Sequence, residues 1–568
     1  MSLRLLLSGL CLGLCCGAVA VEKSPAEIFP PTVIAYVEVP RPAELIATIL
    51  DHPARAKVEA LREVQKALQS PGYRELERGL AAFEKKAGMS YRAAVEALTA
   101  NGVYVGVDAF TQGAVTIVQA KDAATLDKLL PVIHDLARAE ATRQGKDDPI
   151  HSAEYQGQTI YRAGDARWTA VGSRWVLANK EGLLKQTIDR LKGAAGDSLA
   201  DEYNFQTARK TIAGKPTAWA YVNFSVLRTV GVGKELFAPK SDNPVAELLA
   251  GGIASTLTQT PFITAAFNVN QDRLALAFAA PHDKDWIPER RQFFFGAAGP
   301  ALDAKDALLS LSLYRDLGTF WLLKEDLFTE NVVAQLTQAD SNLTTIFSGR
   351  DFGRDVLGAV GPEMQLLVAR QTFADGAPRP DIKLPAGALV LRLKEPEKMQ
   401  RSFKVLFQSL IGFLNIVGSQ QAQPPLEQDT EKLPNGQLLS AKYLPDAGEG
   451  KINFNFSPSM AFAGDRLILS TATSLARELA AAPEPAKTEA QDNARATVSL
   501  PVLRTLLDDN RKHLVAQSAL NDGISQDTAE KNVSEFLSLL TLGKSLGVRL
   551  ITEPTQVKLE AEVRLETR

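Results

Sequence analysis

His52, His134, His151, His282 and His513 are the chain's whole stock of side chains that titrate near neutrality, and their spacing bounds the chemistry on offer. No two are set apart as a metal pair would be, and neither HExxH nor HxH occurs, so no metal site is expected. Asp51-His52, His134-Asp135 and His282-Asp283 place a carboxylate beside an imidazole, but sequence neighbours on a helix or strand point apart. Serine hydrolysis would require GxSxG at a strand-to-helix turn, which is absent. Gly543-Lys544-Ser545 has the ending of a phosphate-binding loop, yet the leading glycine position holds Ser538, within an apolar helical stretch. Gly231-Val232-Gly233 lacks the third glycine of a dinucleotide site. Asp147-Asp148, Asp201-Glu202 and Asp508-Asp509 are carboxylate pairs without calcium-loop spacing. Catalytic residues therefore stay unassigned, and no cofactor is expected.

Cysteine chemistry is bounded by the N-terminus. Arg4, an apolar stretch Leu5 to Val19 and the small-x-small site Ala18-Val19-Ala20 read as a secretory signal cleaved before Val21. Cys11, Cys15 and Cys16 are the only cysteines and fall inside it, so cleavage leaves no thiol, no disulfide and no Cys ligand. Leu10, Leu14 and Cys15 precede them, where lipoprotein processing wants a small residue. Export makes the expected location periplasmic or secreted. The full chain carries 63 Lys plus Arg against 66 Asp plus Glu. Such a balance offers no electrostatic footprint for nucleic acid. The longest later apolar run, Val405 to Val417, is interrupted by Gln408, Ser409 and Asn415; it reads as a buried helix, and no span is expected after signal removal.

The elements that would position any site come in two similar sets. Val33, Ala35, Val37 and Val39 share one face of an opening strand, as do Leu309, Leu311 and Leu313, and Arg41 and Arg315 follow at the same offset. Gly113 and Gly387 open further strands. Gly157-Gln158 and Gly436-Gln437 begin later ones, followed by predicted amphipathic helices Trp175 to Leu191 and Leu467 to Leu479. The string VLRT then appears verbatim at Val226 to Thr229 and Val502 to Thr505, and V-x-E-x-L at Val245 and Val533. In the last strand Lys558, Glu560, Glu562 and Arg564 alternate with apolar residues, which predicts one wet and one buried face. The expected fold is α+β: a tandem duplication of a large unit with antiparallel sheets covered by helices. The predicted divisions are a signal peptide (1–20), a first repeat (21–285), a connector (286–305) and a second repeat (306–568).

Ser419 to Asn435 and Ala481 to Asp492 read as surface loops, and Gly543 as a helix stop. Phe293-Phe294-Phe295, beside Arg290-Arg291, could cover the seam between halves or offer an apolar patch; a connector between large units favours the seam. Core packing accounts for Trp168, Trp175, Trp219 and Trp286.

Three segments carry a resemblance: PxxxxAYVEVPRPAEL (Pro30 to Leu45), YxGQxIY (Tyr155 to Tyr161) and WVLANKEGLL (Trp175 to Leu184). With the signal peptide they resemble large exported bacterial proteins of the domain-of-unknown-function family 3352. The resemblance implies an extracytoplasmic location and imports no catalytic residues. The expected function is a non-catalytic binding or structural module of the envelope, its partner an envelope protein or an apolar small molecule held between the halves. The alternative is a hydrolase with a His/carboxylate site in the first half, where His52, His134 and His151 have no histidine counterparts in the second. A scaffold that oligomerises through an exposed edge strand is a third possibility.

Overall fold

Alternating apolar and polar residues over five to eleven positions recur along the chain, and each such run is a strand. The computed structural model describes residues 23–212, 214–229, 240–283, 285–347, 349–373, 378–420, 423–443, 451–485 and 492–566. The cleavage-site residues Ala18, Ala20 and Val21 lie outside them, as do the three cysteines. The first half supplies β1 (Val33–Val39), β2 (Val103–Asp108), β3 (Gly113–Gln119), β4 (His151–Tyr155), β5 (Gln158–Ala163), β6 (Ala166–Val171), β7 (Arg174–Ala178), β8 (Ala218–Asn223), β9 (Phe262–Val269) and β10 (Arg273–Pro281). The second supplies β11 (Ala307–Tyr314), β12 (Val360–Ala369), β13 (Ala386–Leu393), β14 (Leu426–Leu433), β15 (Gly436–Tyr443), β16 (Ser459–Ala463), β17 (Arg466–Ser470), β18 (Asp492–Ser499), β19 (Gly543–Glu553) and β20 (Gln556–Leu565).

All twenty pair antiparallel in one sheet. The first half runs β4-β5-β6-β7-β3-β2-β1-β8-β9-β10. The second runs β14-β15-β16-β17-β13-β12-β11-β18-β19-β20. These orders match strand for strand, and β10 pairs with β20 over nine residue pairs from Arg273↔Arg564 to Pro281↔Gln556. The fold is thus α+β, but the expected separate sheets are one continuous sheet that crosses the boundary between the halves.

Helices cover the outer thirds of the sheet. On one face, helix Glu181–Leu191 buries Leu183, Leu184 and Ile188 against β3 and β7 in a cluster with Val115, Ile117 and Val176 that extends to Trp219 and Tyr221. Its counterpart Thr473–Ala481 buries Leu475, Ala476 and Leu479 against Leu367, Val390 and Ile468. On the other face lie the long helices Ala123–Arg143 and Pro396–Gln420. The VLRT strings sit in helices Phe224–Thr229 and Leu500–Asp509, and the V-x-E-x-L strings in Pro244–Gln259 and Gln526–Leu539.

Three local expectations are corrected. Trp175 to Ala178 and Leu467 to Ser470 are strand rather than helix, because pairing of β7 and β17 with neighbours on both sides overrides helical spacing; the helices begin only at Glu181 and Thr473. The expected loop Ser419 to Asn435 contains β14 (Leu426–Leu433), held to β15 through eight register pairs. Gly543 does end the helical segment, as the C-cap of a 3₁₀ turn Leu540–Leu542, and it also opens β19. The run Val405 to Val417 is helical but only partly buried: Met399, Phe403, Phe407 and Ile411 face the sheet, while Leu410, Phe413 and Ile416 are exposed.

Candidate functional site

The middle of the sheet, where the two halves meet, is where its faces differ most. Register rows on one face are apolar across ten strands, from β2 to β12. One row reads Val105, Val37, Ala220, Ala265, Phe278, Leu559, Leu550, Ala494, Leu313 and Met364. The next reads Phe267, Leu276, Ala561, Val548, Ala496, Leu311 and Leu366. A third runs Val269, Leu274, Val563, Leu546, Val498, Leu309 and Val368. At normal strand spacing this surface is roughly 45 Å wide.

That face is packed at one end and open at the other. Leu550, Leu559 and Ala494 lie beneath a cluster of Phe293, Phe294, Phe320, Leu327 and Phe328. Val548, Leu546 and Phe278 remain 44%, 39% and 37% exposed. The packed end is tied by residues from both halves. Arg315 is buried, its guanidinium 3.7 Å from the centre of the Phe294 ring. It donates to the carbonyls of Leu248 (2.6 Å) and Leu249 (3.1 Å) and to Asn493 Oδ1 (2.9 Å), and burial pushes its pKa down to about 9. Arg291 pairs with Glu247 at 2.8 Å, both almost fully buried, and donates to Ser255 at 2.9 Å. Gly252 gives the Phe294 ring room: a Cβ there would overlap it. The Phe triplet therefore covers the seam. Helical contacts also cross it at both ends: Thr329 Oγ1 donates to Asp242 (2.6 Å), and the Arg62 backbone N–H to Glu535 (3.3 Å).

The opposite face of the same strands is a polar trough of about 600 Å³. Ala275, Ala277 and Gly547 form its floor, and Arg273, Arg495, Arg549, Arg564, Glu560 and Glu562 its walls. Each arginine already has a carboxylate: Arg273 reaches Glu562 at 2.9 Å, Arg564 the same group at 3.0 Å, and Arg549 and Arg495 reach buried Asp492 at 2.7 and 3.4 Å. Such a mutually neutralised lattice keeps the sheet wet on this side.

The histidines are dispersed. His52 lies within 2.8 Å of the Gln271 carbonyl through Nε2 and accepts from the Ala54 N–H at 3.0 Å. His134 is buried, accepts from Trp168 Nε1 at 2.9 Å and packs on Tyr161; burial lowers its pKa. His151 is exposed on β4, and His513 lies in helix Arg511–Asp522. His282 is buried and stacked 3.8 Å from Trp286, both of its ring nitrogens without a hydrogen-bond partner; burial pushes its pKa down to about 4. Among the described residues no hydrogen bond or ion pair joins a histidine to a carboxylate, and no three His, Cys, Asp or Glu side chains are grouped to hold a metal. The structure does not assemble the hydrolase alternative's His/carboxylate site.

Residues 107–289, from the end of β2 to the connector, match the model of a family described as a protein of unknown function, DUF3352. The match supports membership of that family. No curated protein matches the chain. Two crystal forms of TP0453 resemble it among solved structures: form IV at 10% identity and a TM-score of 0.24, over 45% of this chain and 80% of that one, and form III at 10% and 0.25, over 48% and 84%.

Sequence reasoning passed over the apolar face and the trough. Its one signal was the alternation in the last strand, which becomes a two-faced surface only once β10 is known to lie beside β20. In sequence Arg315 is only the counterpart of Arg41, yet the two positions differ: Arg41 is exposed and pairs with Glu44 at 2.8 Å.

Proposed function

We propose that this is an exported, non-catalytic binding protein, built from a duplicated unit, whose ligand is an apolar or amphiphilic molecule seated on the open end of the central sheet face. The observation that carries the reading is the exposure of Val548, Leu546 and Phe278 within rows that are apolar from strand to strand. A folded protein gains by covering such a surface, at roughly 25 cal/mol per Å² of apolar area removed from water. The equal strand orders support the duplication, and the seam it creates is where the apolar face lies. The signal-like segment supports export.

The test is native mass spectrometry of the mature protein purified from the cells that make it, with titration of the stripped protein by a fluorescent fatty-acid probe. A retained apolar molecule, and saturable probe binding lost in Val548→Glu, is the expected result. A bare mass together with no saturable binding would overturn the reading.

A further inference from the structure

Helices Ala123–Arg143 and Pro396–Gln420 occupy equivalent places, each following the third strand of its half on the same face of the sheet. Their outer surfaces differ. The first is covered by helices Pro71–Ala87 and Tyr91–Leu98 and turns charged residues such as Asp135 and Arg138 to solvent. In the second, residues 405–420 contain no charged residue at all. Val405, Leu410, Phe413, Leu414 and Ile416 are 39–62% exposed there. Among the described residues this is the one helix long and apolar enough to cross a bilayer. It does not span one while the domain is folded, because Met399, Phe403, Phe407 and Ile411 hold it along its length to the sheet.

We propose that the exposed side of this helix docks the protein on a lipid surface, with its C-terminal half lying in the interface. One observation selects a bilayer over a second copy of the chain: charge is distributed as an anionic membrane requires. Lys398, Val405 and Ile416 share one side of the helix at spacings of seven and eleven, so the apolar stripe continues into a basic end. There Arg350, Arg354, Lys394 and Lys398 line a cleft against only Asp355 and Glu395. An interfacial helix combines an apolar face with cations that meet phosphate headgroups in this way. The inference does not depend on the sheet face holding a ligand.

Flotation of the mature protein with phosphatidylcholine vesicles, with and without phosphatidylglycerol, tests it, alongside size-exclusion chromatography. Wild-type protein is expected to float, more strongly with the anionic lipid, and Phe413→Glu with Ile416→Glu to reduce the bound fraction at least tenfold with an unchanged melting curve. Phe413→Trp provides a gentler probe: its emission should shift to the blue on adding vesicles and be quenched by brominated lipid. No flotation of the wild type, equal flotation of the charged variant, or a dimer that the charged variant splits to monomers would each overturn the proposal. Fatty-acid probe binding should survive both substitutions, which separates this result from the sheet-face reading.

Discussion

The two faces of strands β9, β10, β20, β19 and β18 share one backbone and one hydrogen-bond ladder, yet one is a lattice of ion pairs and the other is apolar from strand to strand. A sheet buried on both sides would have two apolar faces, and a sheet with one side in water needs only one. Here the wet face accounts for itself: its arginines and carboxylates neutralise one another, and water serves the rest. The apolar face does not. Its packed end is core, under the Phe293–Phe294 cluster, whereas at its open end Val548 and Leu546 are 44% and 39% exposed. The proposed binding rests on this unmatched apolar surface rather than on any cluster of reactive groups.

The largest expected effect separates the two ends of the apolar face. Phe294 is 1% exposed and stacks with Arg315, so Phe294→Ala should cost about 3–5 kcal/mol through lost burial and the cavity left behind. Val548→Ala, at the open end and 44% exposed, should cost about 1 kcal/mol or less. Urea unfolding of the two variants checks this, and equal losses would mean that the open end is packed core after all.

Acid should loosen the packed end next. His282 at the end of β10 has a folded pKa of about 4, below the ordinary 6.5, because burial disfavours its charged form. The unfolded chain takes up this proton first as pH falls, so the stability it contributes is whole above about pH 6.5, declines below that and is gone once pH drops through 4. The difference is worth about 3 kcal/mol at most. Melting curves between pH 7 and pH 4 should show a decline that His282→Phe flattens; an identical decline in that variant would assign it to carboxylates elsewhere.

Much of this comparison was legible in the chain, and the illegible part has a physical cause. Alternation in Val557 to Leu565 gave one wet and one apolar face directly, and the V-x-E-x-L strings fall on helices that the structure contains. Helical spacing misled at Trp175 and Leu467, where neighbouring strands on both sides decide the conformation. The union of both halves into one sheet could not be read, since nothing in β10 or β20 alone names the other as partner. For the same reason the run Val405 to Val417 reads as core: composition says that a helix is apolar, but not that Phe413 and Ile416 are 60% and 62% exposed.

A smaller effect tests the faces against each other. Val548 and Thr497 lie on adjacent strands but opposite faces. Val548→Glu should weaken fatty-acid probe binding at least tenfold, about 1.4 kcal/mol, by placing a charge in the apolar row, while Thr497→Glu should leave binding unchanged. Equal losses would mean that the probe binds in the trough.

The smallest effect lies within the trough. Arg273 and Glu562 pair at 2.9 Å with side chains 50% and 26% exposed, so water screens both, and holding two long side chains together offsets part of the attraction. A double-mutant cycle with Arg273→Ala and Glu562→Ala should give a coupling of about 0.2–1 kcal/mol that fades near 1 M salt, where the Debye length is about 3 Å. The same Arg273→Ala protein should bind the fatty-acid probe as the wild type does, because Ala275 and Ala277 keep the floor closed and no apolar row is touched. Should Arg273→Ala weaken the probe as strongly as Val548→Glu, the arginines would be holding the probe's carboxylate, and the two faces would have to be treated as one site reached around the sheet.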